Sequence, residues 1–180
     1  MSPVQPIKSA RKNKILPARR DIKFQLSPEL INEWHHAAGP PFTAFLNTFS
    51  IVLPVGERFF IDSVRAYRDQ ITDPELKKAV TAFIGQEAMH GREHEDYNNA
   101  FFATMPIAPK FERLVGGLLN WGKNNLPPSM RLSATIALEH FTALLADSVL
   151  RESKVSEGAD KDFAALWRWH ALEETEHKGV

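Results

Sequence analysis

The 180-residue chain has no cysteine. That excludes a disulfide framework, a thiolate zinc site, an iron–sulfur cluster and a cysteine nucleophile. It has no net charge, with 22 basic and 22 acidic residues. No overall polarity therefore points to nucleic acid or to an anionic membrane. No uninterrupted run of about 18 apolar residues occurs, so no membrane span is expected. No apolar stretch of a secretory signal follows the start. These absences fit a cytoplasmic protein. No segment keeps a period-two alternation, so little or no sheet is expected.

What remains is a helical pattern. Residues 1–22 read as a basic, solvated arm, with Lys8, Arg11, Lys12, Lys14, Arg19 and Arg20 among prolines Pro3, Pro6 and Pro17. Residues 23–180 read as one domain. Ser27-Pro28-Glu29 and Asp73-Pro74-Glu75 are start signals: a capping side chain, a proline at the first helical position and an acid on the positive dipole end. The first opens a short helix to about His36. Long helices are predicted over Phe42–Gln70, Pro74–Phe102, Pro128–Ser153 and Lys161–Lys178, with Pro54 and Gly56 kinking the first of these. A weaker helix over Phe111–Asn125 would be the crossover between two pairs. The predicted fold is all-α: a ferritin-like four-helix bundle with a long crossover and an extra N-terminal helix.

Each long helix breaks its own apolar stripe with one glutamate. Glu57 shares a face with Leu53, Phe60, Ile61 and Val64. Glu87 follows Val80, Phe83 and Ile84; Glu139 follows Leu132, Thr135 and Ile136; Glu174 follows Trp167 and Ala171. Two of the four carry a histidine one turn on, giving Glu87-x-x-His90 and Glu174-x-x-His177. One glutamate from each of two helices, plus Glu-x-x-His from each of the other two, is the ligand plan of dinuclear carboxylate bundles.

The electrostatics explain why such residues would converge. A lone buried carboxylate is costly, and four of them repel one another. Two divalent cations balance four carboxylates, and two neutral imidazoles complete the set without adding charge. Mixed oxygen and imidazole ligation suits iron or manganese, so two iron ions, with manganese as the other option, are the expected cofactor. His170 shares the face of Glu174 and His177 and reads either as a third histidine ligand or as a core histidine beside the site. His94, four residues after His90, reads as an outer or pocket-lining residue. Gln86 and Glu173, each preceding a ligand glutamate, could fix a ligand imidazole by a hydrogen bond. His140, Glu93 and Glu176 read as bundle surface, and Phe59, Phe60, Phe83, Phe141, Trp167 and Trp169 as core.

Four segments together resemble bacterial proteins catalogued as predicted metal-dependent hydrolases. They are Pro54-Val55-Gly56-Glu57-Arg58-Phe59-Phe60, Gly85-Gln86-Glu87-Ala88-Met89-His90, Leu138-Glu139-His140-Phe141-Thr142 and the run from His170 to His177. The similarity extends from about Lys23 to the end. The spacing also resembles the di-iron p-aminobenzoate N-oxygenase group, whose His-x-x-x-Glu-x-x-His run corresponds to His170, Glu174 and His177. That resemblance implies His170 as a ligand and implies oxygen activation. Members of the hydrolase family look longer, and a ligand three residues from the chain's end would fray, so a C-terminally shortened chain is expected.

Three functions are compatible with this reading. The leading expectation is an oxygen-activating di-iron oxidase or oxygenase acting on a small organic substrate, with O2 and an electron-donor protein as partners. In it Glu87 and Glu174 bridge the irons, and Glu57, Glu139, His90, His177 and His170 cap them. The second is a dinuclear hydrolase whose nucleophile is a metal-bridged hydroxide. The third is a metal-binding or storage bundle without catalysis. A homodimer is compatible with all three.

Overall fold

The computed structural model describes residues 16–32, 36–152 and 157–180. The described residues are helical or irregular. They include no strand, and His36 and Ala159 form an isolated β-bridge. The helices are α1 (Pro28–Asn32), α2 (Pro40–Arg65), α3 (Pro74–Phe102), α4 (Ala108–Asn125), α5 (Pro128–Arg151) and α6 (Lys161–Glu176). One turn of 3-10 helix, Arg68–Gln70, follows α2, and another, His177–Gly179, follows α6.

Local chemistry accounts for the boundaries. Asp73 accepts hydrogen bonds from the backbone N–H groups of Glu75 and Leu76, and Asp160 from those of Asp162 and Phe163. Each thereby satisfies donors that the first helical turn leaves open. Proline occupies the first turn of α2, α3, α4 and α5, where its missing N–H costs nothing. Pro54 lies inside α2, which is one helix from Pro40 to Arg65. Proline has no N–H for the carbonyl four residues earlier. That carbonyl belongs to Ser50, and the side-chain amide of Asn98 on α3 donates to it at 2.9 Å.

α2 packs along α3, α5 along α6, and α2 also meets α5. The crossover helix α4 lies against the outer side of α2, with Lys123 paired to Asp62 and Gly116 under Val55. One apolar cluster joins Phe59, Phe60, Val64, Ile71, Val80 and Phe83; a second joins Ile31, Tyr97 and Phe163. Each fully buried aromatic ring contributes about 1.5–3 kcal/mol. Along α3 the order is Val80 and Phe83, then Glu87, His90 and His94, then Tyr97, so a polar band separates the two clusters.

Three expectations need correction. Phe141 is 66% and Ile136 61% exposed, because α5 buries only Thr135, Ala143 and Ala146 among its described side chains. The helical stretch Pro40–Gln70 meets the length and composition of a membrane span, as buried core helices do, and the buried face of α2 carries Asn47, Ser50, Glu57 and Ser63. From Leu16 to Ile22 the expected arm is extended backbone strapped across α3 and α6. Arg20 reaches Glu176 at 2.7 Å and Glu173 at 3.2 Å, and Arg92 reaches Asp21 at 2.6 Å. Glu93 and Glu176, read as surface, anchor this strap: Glu93 accepts from the backbone N–H of Phe24 at 2.8 Å, and Glu176 from that of Ala18 at 3.0 Å. The rest of the arm, residues 1–15, lies outside the described residues.

Candidate metal centre

The seven Glu and His side chains picked out as ligands come from α2, α3, α5, α6 and the turn after α6, and all seven reach one buried region. Their nearest donor atoms form three overlapping groups, each with its atoms within 4.8 Å of one another: Glu57, His90 and His170; Glu87, His90 and Glu174; and Glu87, Glu139 and His177. The first group and the third share no residue, so they define two positions. The half-sites hold the pairing expected from the order of the helices, Glu57 with His90 and Glu139 with His177. His170 joins the first position although it lies on α6 beside Glu174.

Glu87 and Glu174 lie between the two positions. Glu87 Oε1 is 3.3 Å from His177 Nδ1 and 3.9 Å from His90 Nδ1. Glu174 Oε1 is 3.1 Å from His170 Nε2 and 3.8 Å from His90 Nδ1, while its Oε2 is 3.5 Å from His177 Nδ1. Glu139 Oε2 is 2.8 Å from His177 Nδ1. Gly91 on α3 makes room for Glu57: a Cβ there would sit 3.2 Å from Glu57 Oε2.

Charge and burial set the protonation. Burial pushes Glu57 far above the ordinary carboxylate range, and the neighbouring charges of Glu174 and Glu139 push it further. Burial likewise raises Glu87 and Glu139. Burial also acts to raise Glu174, but hydrogen bonds from His170 and His177 outweigh it and hold this carboxyl well below the usual range. His177 runs the other way: burial lowers it, and Glu87, Glu139 and Glu174 overcome that and raise it. Burial and the adjacent His170 hold His90 well below the usual imidazole range.

The donor set fits divalent cations on an observation independent of spacing. Both oxygens of Glu57 and of Glu87, Glu139 Oε1, His90 Nδ1 and His177 Nε2 are buried without a hydrogen-bond partner among the described residues. Buried polar atoms without partners are rare and costly. Here the carboxylate oxygens and His90 Nδ1 converge where cations would satisfy them.

The surrounding residues show how the ligands are held. Glu173 Oε2 lies 3.1 Å from His90 Nε2, off the ideal hydrogen-bond line, which leaves His90 Nδ1 turned toward Glu87 and Glu174. Gln86 does not reach an imidazole. Its amide donates to Glu176 Oε2 at 2.8 Å and to the Ala18 carbonyl at 3.1 Å, so it ties the strap to α6. His94 Nε2 is 3.0 Å from His170 Nδ1. Sequence reasoning passed over Thr142, whose hydroxyl donates to Glu174 Oε2 at 2.6 Å, and Arg20, Ser50 and Asn98. Thr142 had a legible signal, being one turn beyond Glu139; the other three had none.

A cavity of about 490 Å³ opens against the second position. Glu139 and His177 form its polar end, and Val64, Ile71, Val80 and Phe83 supply apolar wall. His140, read as surface, is exposed at its rim.

Helices that converge buried carboxylates and imidazoles on two adjoining positions define a metal-binding helical bundle. The chain matches the family described as "predicted metal-dependent hydrolase" over residues 18–180, and it belongs to that family. No curated protein and no solved structure matches the chain.

Proposed function

We propose that the protein is a dinuclear metal-dependent hydrolase acting on a small substrate with an apolar body. The observation that carries the reading is the set of unpartnered carboxylate and imidazole atoms around two adjoining positions, at the polar end of an apolar cavity. The family's description supports hydrolysis over the alternatives. Glu57, His90 and His170 would hold one cation, Glu139 and His177 the other, with Glu87 and Glu174 between them. Divalent cations bound there would supply Lewis acidity and activate water.

The chain's own residues do the rest. The Thr142 hydroxyl donates to Glu174 Oε2 at 2.6 Å and limits the rotation of that carboxylate. Phe83 packs edge-on against the His177 ring, with centroids 4.7 Å apart, and helps to shut water from that face. The apolar wall orients a substrate with its polar group toward Glu139 and His177. Glu139 stands at the polar end of the cavity, where a cation held by it and His177 would face the substrate's polar group.

Protein loaded with zinc or manganese should turn over a member of a panel of aryl esters, amides and phosphoesters, and Glu87→Ala should abolish turnover. Absence of turnover across the panel would sink the hydrolase reading.

Oxygen activation is the second reading. The carboxylate-rich donor set, four glutamates to three histidines, favours it, because such sets suit iron. Oxygen consumption by the anaerobically reduced, iron-loaded protein, with a transient visible band, would support it. An oxygen-indifferent iron protein would count against it.

A further inference from the structure

A chain of buried hydrogen bonds runs from the metal centre to α2. His170 Nδ1 meets His94 Nε2 at 3.0 Å, His94 Nδ1 meets Ser50 Oγ at 2.8 Å, and Ser50 Oγ meets Asn98 Oδ1 at 2.8 Å. Ser50, His94, Asn98 and His170 are all buried, so water does not compete for these contacts.

Such a chain can carry its protons in either direction, and its far end decides which. The Ser50 carbonyl lacks its helical donor because Pro54 stands four residues on. A carbonyl only accepts, so the Asn98 group beside it, at 2.9 Å, is the NH2. The other Asn98 atom, facing Ser50 Oγ, is then the amide oxygen, which also only accepts. The single Ser50 hydroxyl proton must go to it. Ser50 Oγ is left to accept from His94 Nδ1–H. A neutral His94 then has a bare Nε2, which accepts from His170 Nδ1–H.

We infer that Pro54, Asn98, Ser50 and His94 form a positioning relay that keeps the His170 proton on Nδ1 and presents its Nε2 toward Glu174 as a metal-ligating atom. The inference rests on the metal reading of the site for its purpose, but not for its geometry. With Nδ1–H committed to His94, Nε2 can meet Glu174 Oε1 at 3.1 Å only through a second proton or a cation. In the opposite polarity His94 Nε2–H donates to His170, and a neutral His170 places its own Nε2–H against Glu174. The first metal position then loses an imidazole. Asn98 touches none of the ligands, yet it selects between the two states.

Nitrogen-15 NMR of the histidine side chains tests this in the metal-free protein and in protein loaded with zinc as a diamagnetic probe. His94 should carry its proton on Nδ1 in both. A proton on His94 Nε2 in the wild type would overturn the relay, and this measurement needs no variant to fold. Two near-isosteric variants then separate polarity from packing. Asn98→Leu removes the acceptor, frees the Ser50 hydroxyl to donate to His94 Nδ1 and should move the His94 proton to Nε2. Zinc affinity should fall about 10–100-fold, the usual effect of losing an outer partner of a metal-bound imidazole. Asn98→Asp, as the neutral acid whose O–H replaces the amide N–H at the Ser50 carbonyl, keeps the acceptor and should retain both the tautomer and most of the affinity. Wild-type affinity in Asn98→Leu would overturn the inference. A wild-type protein with the predicted His94 tautomer and no affinity for zinc, manganese or iron would uphold the relay and overturn the metal reading instead.

Discussion

The carboxylate of Glu173 lies with Oε2 3.1 Å from His90 Nε2, while its Oε1 takes the Trp169 indole N–H at 3.0 Å and Arg20 at 3.2 Å. A buried acid is thus held by two donors on one side and faces the metal centre's imidazole on the other. Removing its charge takes away the acid that faces His90 Nε2. Glu173→Gln should lower metal affinity about 10–100-fold with the helices intact. Competition with a chromophoric chelator reads the affinity and circular dichroism the fold. Unchanged affinity would show that His90 needs no such partner.

Gly91 faces Glu57 closely enough that a methyl group would press on Oε2 at 3.2 Å. In a helix interior, glycine to alanine ordinarily stabilises by about 1 kcal/mol. Here Gly91→Ala should forgo that gain and shift Glu57, so that a metal ion held by Glu57, His90 and His170 binds more weakly than in the wild type. Metal content by elemental analysis after dialysis, beside a thermal melt, checks both halves. Unchanged metal content in the variant would show that Glu57 accommodates the added methyl without loss of binding.

The metal-free protein should grow less stable as pH rises above neutral. Glu57 and Glu87 have folded-state values far above 4.5, so their contribution is present below about pH 4.5 and is lost as pH climbs through the raised values. His177 is raised above 6.5 and acts in the same sense, with its contribution lost as pH passes its raised value. Glu174 is lowered and opposes them where pH falls below 4.5, and the buried His90 and His94, both held well below 6.5, oppose them up to about pH 6.5. Cations remove the need for those protons. Melting temperatures between pH 7 and 9, where His90 and His94 no longer titrate in either state, should fall with pH in the metal-free protein and stay flatter in the loaded one. Parallel curves would mean that the acids are not held protonated.

Arg20 fastens the strap to α6 through Glu173 and Glu176, and its side chain is 31% exposed. Solvent screening limits what such pairs contribute, so Arg20→Ala should cost about 1 kcal/mol or less of global stability. Its local effect should be larger: faster amide hydrogen exchange around Ala18, whose N–H bonds to Glu176, and around Phe24, whose N–H bonds to Glu93. Unchanged exchange there would place the strap's anchorage in its backbone contacts alone.

How much of this was legible differs by residue. Glu57, Glu87, Glu139 and Glu174 stood out because a carboxylate on an apolar helical stripe conflicts with its neighbours, and that conflict is local. His90 and His177 followed from their one-turn spacing. The limits of α3 were readable from Asp73 and Pro74 because capping is a matter of a few adjacent residues. Ile136 and Phe141 were misread as core because α5 is apolar on more than one face, so periodicity does not say which face is covered. Gln86 was misread because its partner, Glu176, stands on another helix 90 positions away.

Helix identity, helix order and the inward acids were settled along the chain, since each depends on contacts within a turn or two. Which histidine joins which glutamate was settled only by packing. His170 neighbours Glu174 in the chain but meets His90 and Glu57 from α3 and α2. The direction of the protons between Asn98 and His170 depends on a carbonyl that Pro54 leaves open and on an amide from a different helix. Hydrogen bonds between helices have no sequence period, so only the folded chain can assign them.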